Sequence, residues 1–298
     1  MLEQTLSLFI NGISIASILL LISLGLSISF GMMGIINFAH GEFIMIGSYA
    51  TYLVGIMSDK NPGALHLISI FILAFLLAGA IGFLLEKTII KHLYGRPVYS
   101  ILATWGISLI LQQLARNIFG ANNVEAVLPK FLNGGFTIFG TLQVPYNRLF
   151  IFLVSVALCL AVFYLLYKTS KGRIVQAVMQ NRDMAACMGI KVRKVDALSF
   201  SIGCAIAGIA GVCISMLGSI GPSTGQNYIM DAFLVVILGG VGGLRGTIIG
   251  AILVGMLTPY IEFYTSASTA KVLLLTLVFI VLQLKPAGLA PLKDRSIA

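Results

Sequence analysis

Residues 168–196 read KTSKGRIVQAVMQNRDMAACMGIKVRKVD, a polar stretch between two long apolar runs. It carries Lys168, Lys171, Arg173, Arg182, Lys191, Arg193 and Lys194 against only Asp183 and Asp196. Short loops rich in Lys and Arg stay on the cytoplasmic side of a membrane, so this stretch sets the direction of the segments around it. Within it, Asn181-Arg182-Asp183-Met184-Ala185-Ala186-Cys187-Met188-Gly189 has the chemistry of one short helix. Asn181 can cap the free N–H groups, Asp183 suits the positive first turn, and Gly189 can take the left-handed stop. A capped helix held out into the cytoplasm, small and apolar on one side, predicts a docking element for a partner. Its contact residues would be Asn181, Arg182, Asp183, Ala185, Ala186 and Gly189.

Outward from this loop the chain is apolar: 58% of residues are hydrophobic and 10% charged, with a mean hydropathy of +1.02. A soluble core could not hide that much apolar surface. Leu6–Phe30, Asn37–Met57, His66–Leu85, Tyr99–Phe119, Leu149–Tyr167, Leu198–Gly218, Thr247–Ile261 and Lys271–Leu284 are near the length that crosses a bilayer, roughly 20 residues. Ile229–Gly240 is shorter and Gly-flanked. The pattern predicts an all-α, polytopic integral membrane helical bundle, with about eight transmembrane helices plus one short broken or re-entrant segment. The segments lack the period-two alternation of a membrane barrel. Residues 1–298 read as one transmembrane domain, with a cytoplasmic loop at 168–196 and a long external connection at 120–147.

The net charge of +9 is a topology signal rather than a nucleic-acid footprint. Lys87, Lys91, Arg96, the central loop, Arg245, Lys285, Lys293 and Arg295 fall on one side. Lys60, Lys130, Arg148 and Lys271 fall in loops on the other, and Arg116 lies near the outer end of a span. This arrangement puts the N-terminus outside and the C-terminus in the cytoplasm. Met1-Leu2-Glu3-Gln4 lacks the basic start of a cleavable signal. Cys159, Cys187, Cys204 and Cys213 avoid the external loops and read as packed thiols. Gly203, Ala207, Gly211 and Ser215 recur every fourth residue, and Gly246 and Gly250 repeat the spacing; both are flat ridges for close helix packing.

Chemistry is sparse. No Gly-Lys-Ser or Gly-Lys-Thr exists, so the chain has no Walker A loop, and any nucleotide-driven work needs another chain. Gly239-Gly240-Val241-Gly242-Gly243-Leu244-Arg245-Gly246 reads as a helix break rather than a phosphate loop. His40, His66 and His92 have no second histidine at metal spacing, and no nucleophile setting occurs, so neither catalysis nor a metal or other cofactor is expected. Polar groups inside apolar spans are costly and therefore informative. Asn37, His40 and Glu42 open the second span as a gate or a satisfied polar cluster. Trp105, Ser108 and Gln112 share one face of the fourth span, and Gln113 points elsewhere. Gln226, Asn227 and Asp231 form a third group. In a stand-alone channel or secondary transporter, Glu42, His40 and Asp231 would make an ion relay.

Asn37-Phe38-Ala39-His40-Gly41-Glu42 and Asp183-Met184-Ala185-Ala186-Cys187-Met188-Gly189 resemble signatures of the permease subunits of ABC importers for branched-chain amino acids and related solutes. Asp183 stands where that family's coupling motif usually has Glu. Leu93-Tyr94-Gly95-Arg96-Pro97, Ala103-Thr104-Trp105-Gly106-Ile107-Ser108, Gly120-Ala121-Asn122-Asn123-Val124 and Gly225-Gln226-Asn227-Tyr228-Ile229 resemble the urea branch more than the amino-acid branch. The resemblance spans nearly the whole chain. It implies a bacterial inner-membrane protein, a urea cargo or alternatively a branched-chain amino acid or short amide, and no enzymatic activity in this chain. It further implies a second homologous permease, two cytoplasmic ATPase subunits that bind ATP and Mg, and an external solute-binding protein. Membrane lipid completes the surroundings, with no role for nucleic acid.

Overall fold

The computed structural model describes residues 2–34, 37–57, 63–127, 129–132, 134–138, 142–240 and 242–290. Helices α1 (Leu2–Met33), α2 (His40–Met57), α3 (Ala64–Thr88), α4 (Pro97–Phe119) and α5 (Tyr146–Lys168) come first. The basic loop follows, then α8 (Val192–Ser215), α9 (Thr224–Gly239), α10 (Leu244–Tyr264) and α11 (Ala267–Leu284). Among the described residues, seven of these helices are long and apolar enough to cross a membrane, so the polytopic bundle holds. The predicted spans at Asn37–Met57 and Ile229–Gly240 become α2 and α9, which fall outside that set: α2 opens on His40 and Glu42, and α9 has 16 residues.

The basic loop holds two helices rather than one. Alongside α7 (Arg182–Cys187) runs α6 (Ser170–Gln180), an amphipathic segment that hydropathy alone passes over. Thr169 caps it by accepting from the Gly172 amide at 3.0 Å. The connection between α4 and α5 is also more ordered than an all-α reading allows. Strand β1 (Gly135–Ile138) pairs antiparallel with β2 (Leu142–Pro145), Gly135 opposite Pro145, and Val124 bridges Ile220 in the loop before α9.

The core is built on α8, which is buried from Gly203 to Ser215 against α1, α2 and α3. Its small-residue ridge is what permits this. A methyl group added at Gly203 would meet the Gly25 carbonyl oxygen of α1 at 2.7 Å, and one at Gly208 would meet the Ala74 carbonyl oxygen of α3 at 2.8 Å. Because lipid is as apolar as a leucine side chain, such close backbone packing, not burial from water, holds these helices together. Ser48 Oγ donates to the Gly211 carbonyl at 2.9 Å and Ser201 Oγ to the Gly79 carbonyl at 2.8 Å, which pins the same crossings. Gly246 packs on Gly239, and Gly240 and Gly242 take positive φ (99° and 77°), so the glycine run is a helix break between α9 and α10, as expected.

Three expectations need correction or limitation. Cys204 and Cys213 are packed thiols, but Cys187 is exposed and Cys159 half-buried. Arg148 sits inside α5 and Lys271 inside α11 rather than in loops. Lys60, Lys293 and Arg295 lie outside the described residues.

Candidate functional site

The turn from α1 into α2 exists because Asn37 holds it. Its Oδ1 accepts from the Ala39 amide at 3.1 Å, and its carbonyl accepts from the His40 amide at 3.2 Å. The Phe38 amide donates to Thr104 Oγ1 on α4 at 3.3 Å. His40 is fully buried against Ile22 and Gly25 of α1. One residue after Gly41, the Glu42 side chain turns toward α4. Its Oε1 accepts from Ser108 Oγ at 2.7 Å and from Gln112 Nε2 at 2.9 Å. Its Oε2 is buried without a hydrogen-bond partner among the described residues.

The fourth member comes from α9. Gln226 Oε1 lies 3.5 Å from Gln112 Nε2, the outer limit of a hydrogen bond. Gly41 and Gly225 make this approach possible: a methyl group on Gly41 would come within 2.7 Å of the Gly225 carbonyl oxygen. Glu42, Ser108 and Gln112 are buried, whereas Gln226 is exposed at the edge of the cluster.

Aromatic layers flank it on both sides. On one side, Phe38 lies 6.3 Å from Trp105 and 5.4 Å from Phe233 between ring centroids. On the other, Tyr49 stacks on Phe119 at 4.2 Å, with Tyr52 at 6.2 Å edge-on. Arg116 continues the Ser108–Gln112 stripe one turn further along α4, close enough to act electrostatically on Glu42.

The polar groups expected from the sequence therefore separate. Glu42, Ser108, Gln112 and Gln226 come together, with Asn37 and His40 one turn away. Trp105 is 54% exposed and touches the cluster only through Phe38. Asn227 is exposed, and Asp231 faces Lys271 of α11 at 3.8 Å, so it joins no relay with Glu42. Gln113 bonds Asn117, away from the site as expected. Thr104, Arg116, Phe119 and Phe233 were missed. Only the i+4 spacing of Thr104, Ser108, Gln112 and Arg116 could have shown the first two.

A second group lies in the basic loop. Asn181 caps α7, accepting from the Met184 amide at 2.9 Å. Gly189 has φ +81°, and the Ile190 and Gly189 amides return to the carbonyls of Ala185 and Ala186 at 3.1 and 3.0 Å, a Schellman stop. Asp183, Met184, Ala186, Cys187, Met188 and Gly189 face outward. Ala185 is buried and Arg182 turns inward, so of the six expected contact residues these two lie off the exposed face.

Residues 8–282 match the family described as branched-chain amino acid transport system / permease component. The chain is 29% identical over 288 residues to the high-affinity branched-chain amino acid transport system permease protein LivH of Escherichia coli, covering 94% of this chain and 93% of that one. It is 28% identical over 292 residues to BraD, the corresponding permease protein of Pseudomonas aeruginosa, covering 94% of each. A shorter stretch of 135 residues is 34% identical to the ribose import permease protein RbsC of Bacillus subtilis, covering 42% of this chain and 41% of that one.

Proposed function

Because this chain belongs to the family of permease components of branched-chain amino acid transport systems, we propose that it forms the solute pathway of an ATP-driven importer whose cargo is urea. The observation that carries this reading is the polar cluster on α2, α4 and α9, buried at Glu42, Ser108 and Gln112 and exposed at Gln226. Glu42 keeps one carboxylate oxygen free to accept, and Gln112 and Gln226 add both donors and acceptors. Urea is neutral and planar, with two NH2 donors and one carbonyl acceptor. A buried acceptor between amides, with aromatic faces above and below, matches it group for group. The motifs around Gly95, Trp105, Asn122 and Asn227 support the same cargo.

In this scheme the exposed face of α7 docks into a cytoplasmic ATPase subunit, whose nucleotide cycle drives the spans. Two such ATPases, a second homologous permease and an external solute-binding protein complete the assembly. The membrane is the bacterial inner membrane, with the N-terminus outside and the C-terminus in the cytoplasm. ATP and Mg belong to the partners, and this chain supplies no catalytic group.

A second reading has one specific observation in its favour. A branched-chain amino acid needs an acid for its ammonium and a cation for its carboxylate, and Glu42 of α2 with Arg116 on the facing stripe of α4 offers both charges. The relatives' names point the same way. Uptake of radiolabelled urea and leucine separates the two readings, measured in cells lacking this gene and in cells regaining it. Urea uptake should disappear and return with the gene. Unchanged urea uptake with lost leucine uptake would overturn the urea assignment.

A further inference from the structure

Arg182 opens α7, yet its side chain leaves the exposed face and reaches into the body of the protein. Its Nη1 donates to the Met32 carbonyl in the last turn of α1 at 3.0 Å. Its Nη2 donates to Asp196 near the start of α8. The guanidinium also lies over the Tyr94 ring, 4.3 Å from its centroid, in the connection between α3 and α4. The Tyr94 hydroxyl in turn donates to Glu86 Oε1 of α3 at 3.5 Å. Glu86 and Asp196 are both buried. Burial, followed by the charges of Asp196 and Glu86, pushes the Tyr94 phenol above its ordinary range and so keeps it a donor.

One planar side chain therefore joins the docking helix to three other parts of the bundle. Only a guanidinium does this: it stacks, forks and carries charge at once, whereas a lysine is a point charge with no plane. The far end of the linkage matters as much. Met32 lies five positions before Asn37 and ten before Glu42, so the α1 end held by Arg182 runs directly into the turn that presents the polar cluster. Asp183 and Ala186, close by on α7, are on the exposed face.

We propose that Arg182 is a positioning residue of the transport cycle: the pin that carries displacement of α7 to the inner ends of α1 and α8, and from there to the turn bearing Asn37, His40 and Glu42. This rests on the reading of α7 as the ATPase-docking element. A clamp that merely stabilised the fold would change how much protein survives. A pin changes how much solute moves for each ATP hydrolysed.

The test uses the whole transporter in proteoliposomes, reading ATPase co-purification, ATP hydrolysis and solute uptake together. Arg182→Lys should keep its ATPase subunits and hydrolyse ATP, while solute moved per ATP falls roughly tenfold or more, within the usual span of coupling effects. Tyr94→Leu keeps the ion pair but removes the stacking plane, and should lose less. The double variant should be no worse than Arg182→Lys alone, because both changes break one linkage. An unchanged ratio in Arg182→Lys overturns the proposal. So does loss of the ATPase subunits from that variant, which would make Arg182 a docking contact. A fall in uptake that only tracks the loss of folded protein in both variants overturns it as well. Failure of the underlying reading shows elsewhere: Ala186→Glu, on the exposed face, should release the ATPase subunits, and their retention would sink the docking role whatever Arg182 does.

Discussion

Glu42→Gln separates solute contact from helix packing at the polar cluster. Glutamine keeps the length of the side chain and the carbonyl oxygen, so Ser108 at 2.7 Å and Gln112 at 2.9 Å keep their acceptor. What changes is Oε2, the buried oxygen with no hydrogen-bond partner among the described residues, which becomes an NH2 group. A solute N–H that used this oxygen loses its acceptor and meets a donor. A hydrogen bond to a charged group is worth about 1.5–3 kcal/mol. At about 1.4 kcal/mol per factor of ten, uptake at low solute concentration should fall roughly 10- to 100-fold. Thermal stability in detergent should be nearly unchanged, because both internal hydrogen bonds survive. Glu42→Ala is the contrast: it leaves the Ser108 hydroxyl and the Gln112 amide buried without their acceptor, at about 1–3 kcal/mol each. The assay is the initial rate of labelled-urea uptake into proteoliposomes holding the whole transporter, alongside melting of each variant. If Glu42→Gln transports at the wild-type rate while Glu42→Ala melts early, Glu42 only fastens α4 to α2, and the reasoning is refuted.

Further outcomes follow from single contacts. Gly225→Ala drives a methyl group into the Gly41 carbonyl and should cost about 1–3 kcal/mol of thermal stability, with reduced uptake. Gly106→Ala, where nothing lies within 4 Å, is the neutral control. Arg182→Leu strands the buried Asp196 and should destabilise by about 3–5 kcal/mol, read by melting. Asp196→Leu should cost less, because the Arg182 side chain is 35% exposed and can turn to water. Asp231→Asn should change stability by less than about 1 kcal/mol and leave uptake intact, since its pairing with Lys271 is partly exposed. Lost uptake in that variant would revive an ion relay through α9.

The sequence makes the packing of this bundle easy to read and its site harder, for a physical reason. Close helix crossing in lipid needs small residues, so the Gly203–Ala207–Gly211–Ser215 ridge announces its own burial. The α7 cap and stop are equally local, and both appear as expected. Gly41 and Gly225 needed coordinates, because their partnership spans 184 positions and neither sits in a periodic ridge. The same holds for Arg182. In a basic loop it reads as one more cytoplasmic charge, and only the fold brings Met32, Tyr94 and Asp196 around it. The β1–β2 hairpin was hidden because four-residue strands leave little periodic trace.

The way the elements are fastened shows where the pathway can open. Helices α1, α2, α3 and α8 are locked by backbone-to-backbone contacts at glycines, which cannot slide without a clash. Helix α4 is held differently. It meets α2 through the polar contacts Phe38–Thr104, Glu42–Ser108 and Glu42–Gln112 and, at its far end, through the Tyr49–Phe119 stack and the packing around Ala115, and much of its opposite face, from Val98 to Ile118, is exposed. Polar contacts of this kind exchange partners, and a solute offering N–H and C=O groups can replace each one in turn. The cluster that would recognise the solute is thus also the fastening between α2 and α4. In the proposed scheme, binding there would compete with closure, and an energy input delivered through α7 and the Met32 end of α1 would act on the same joint.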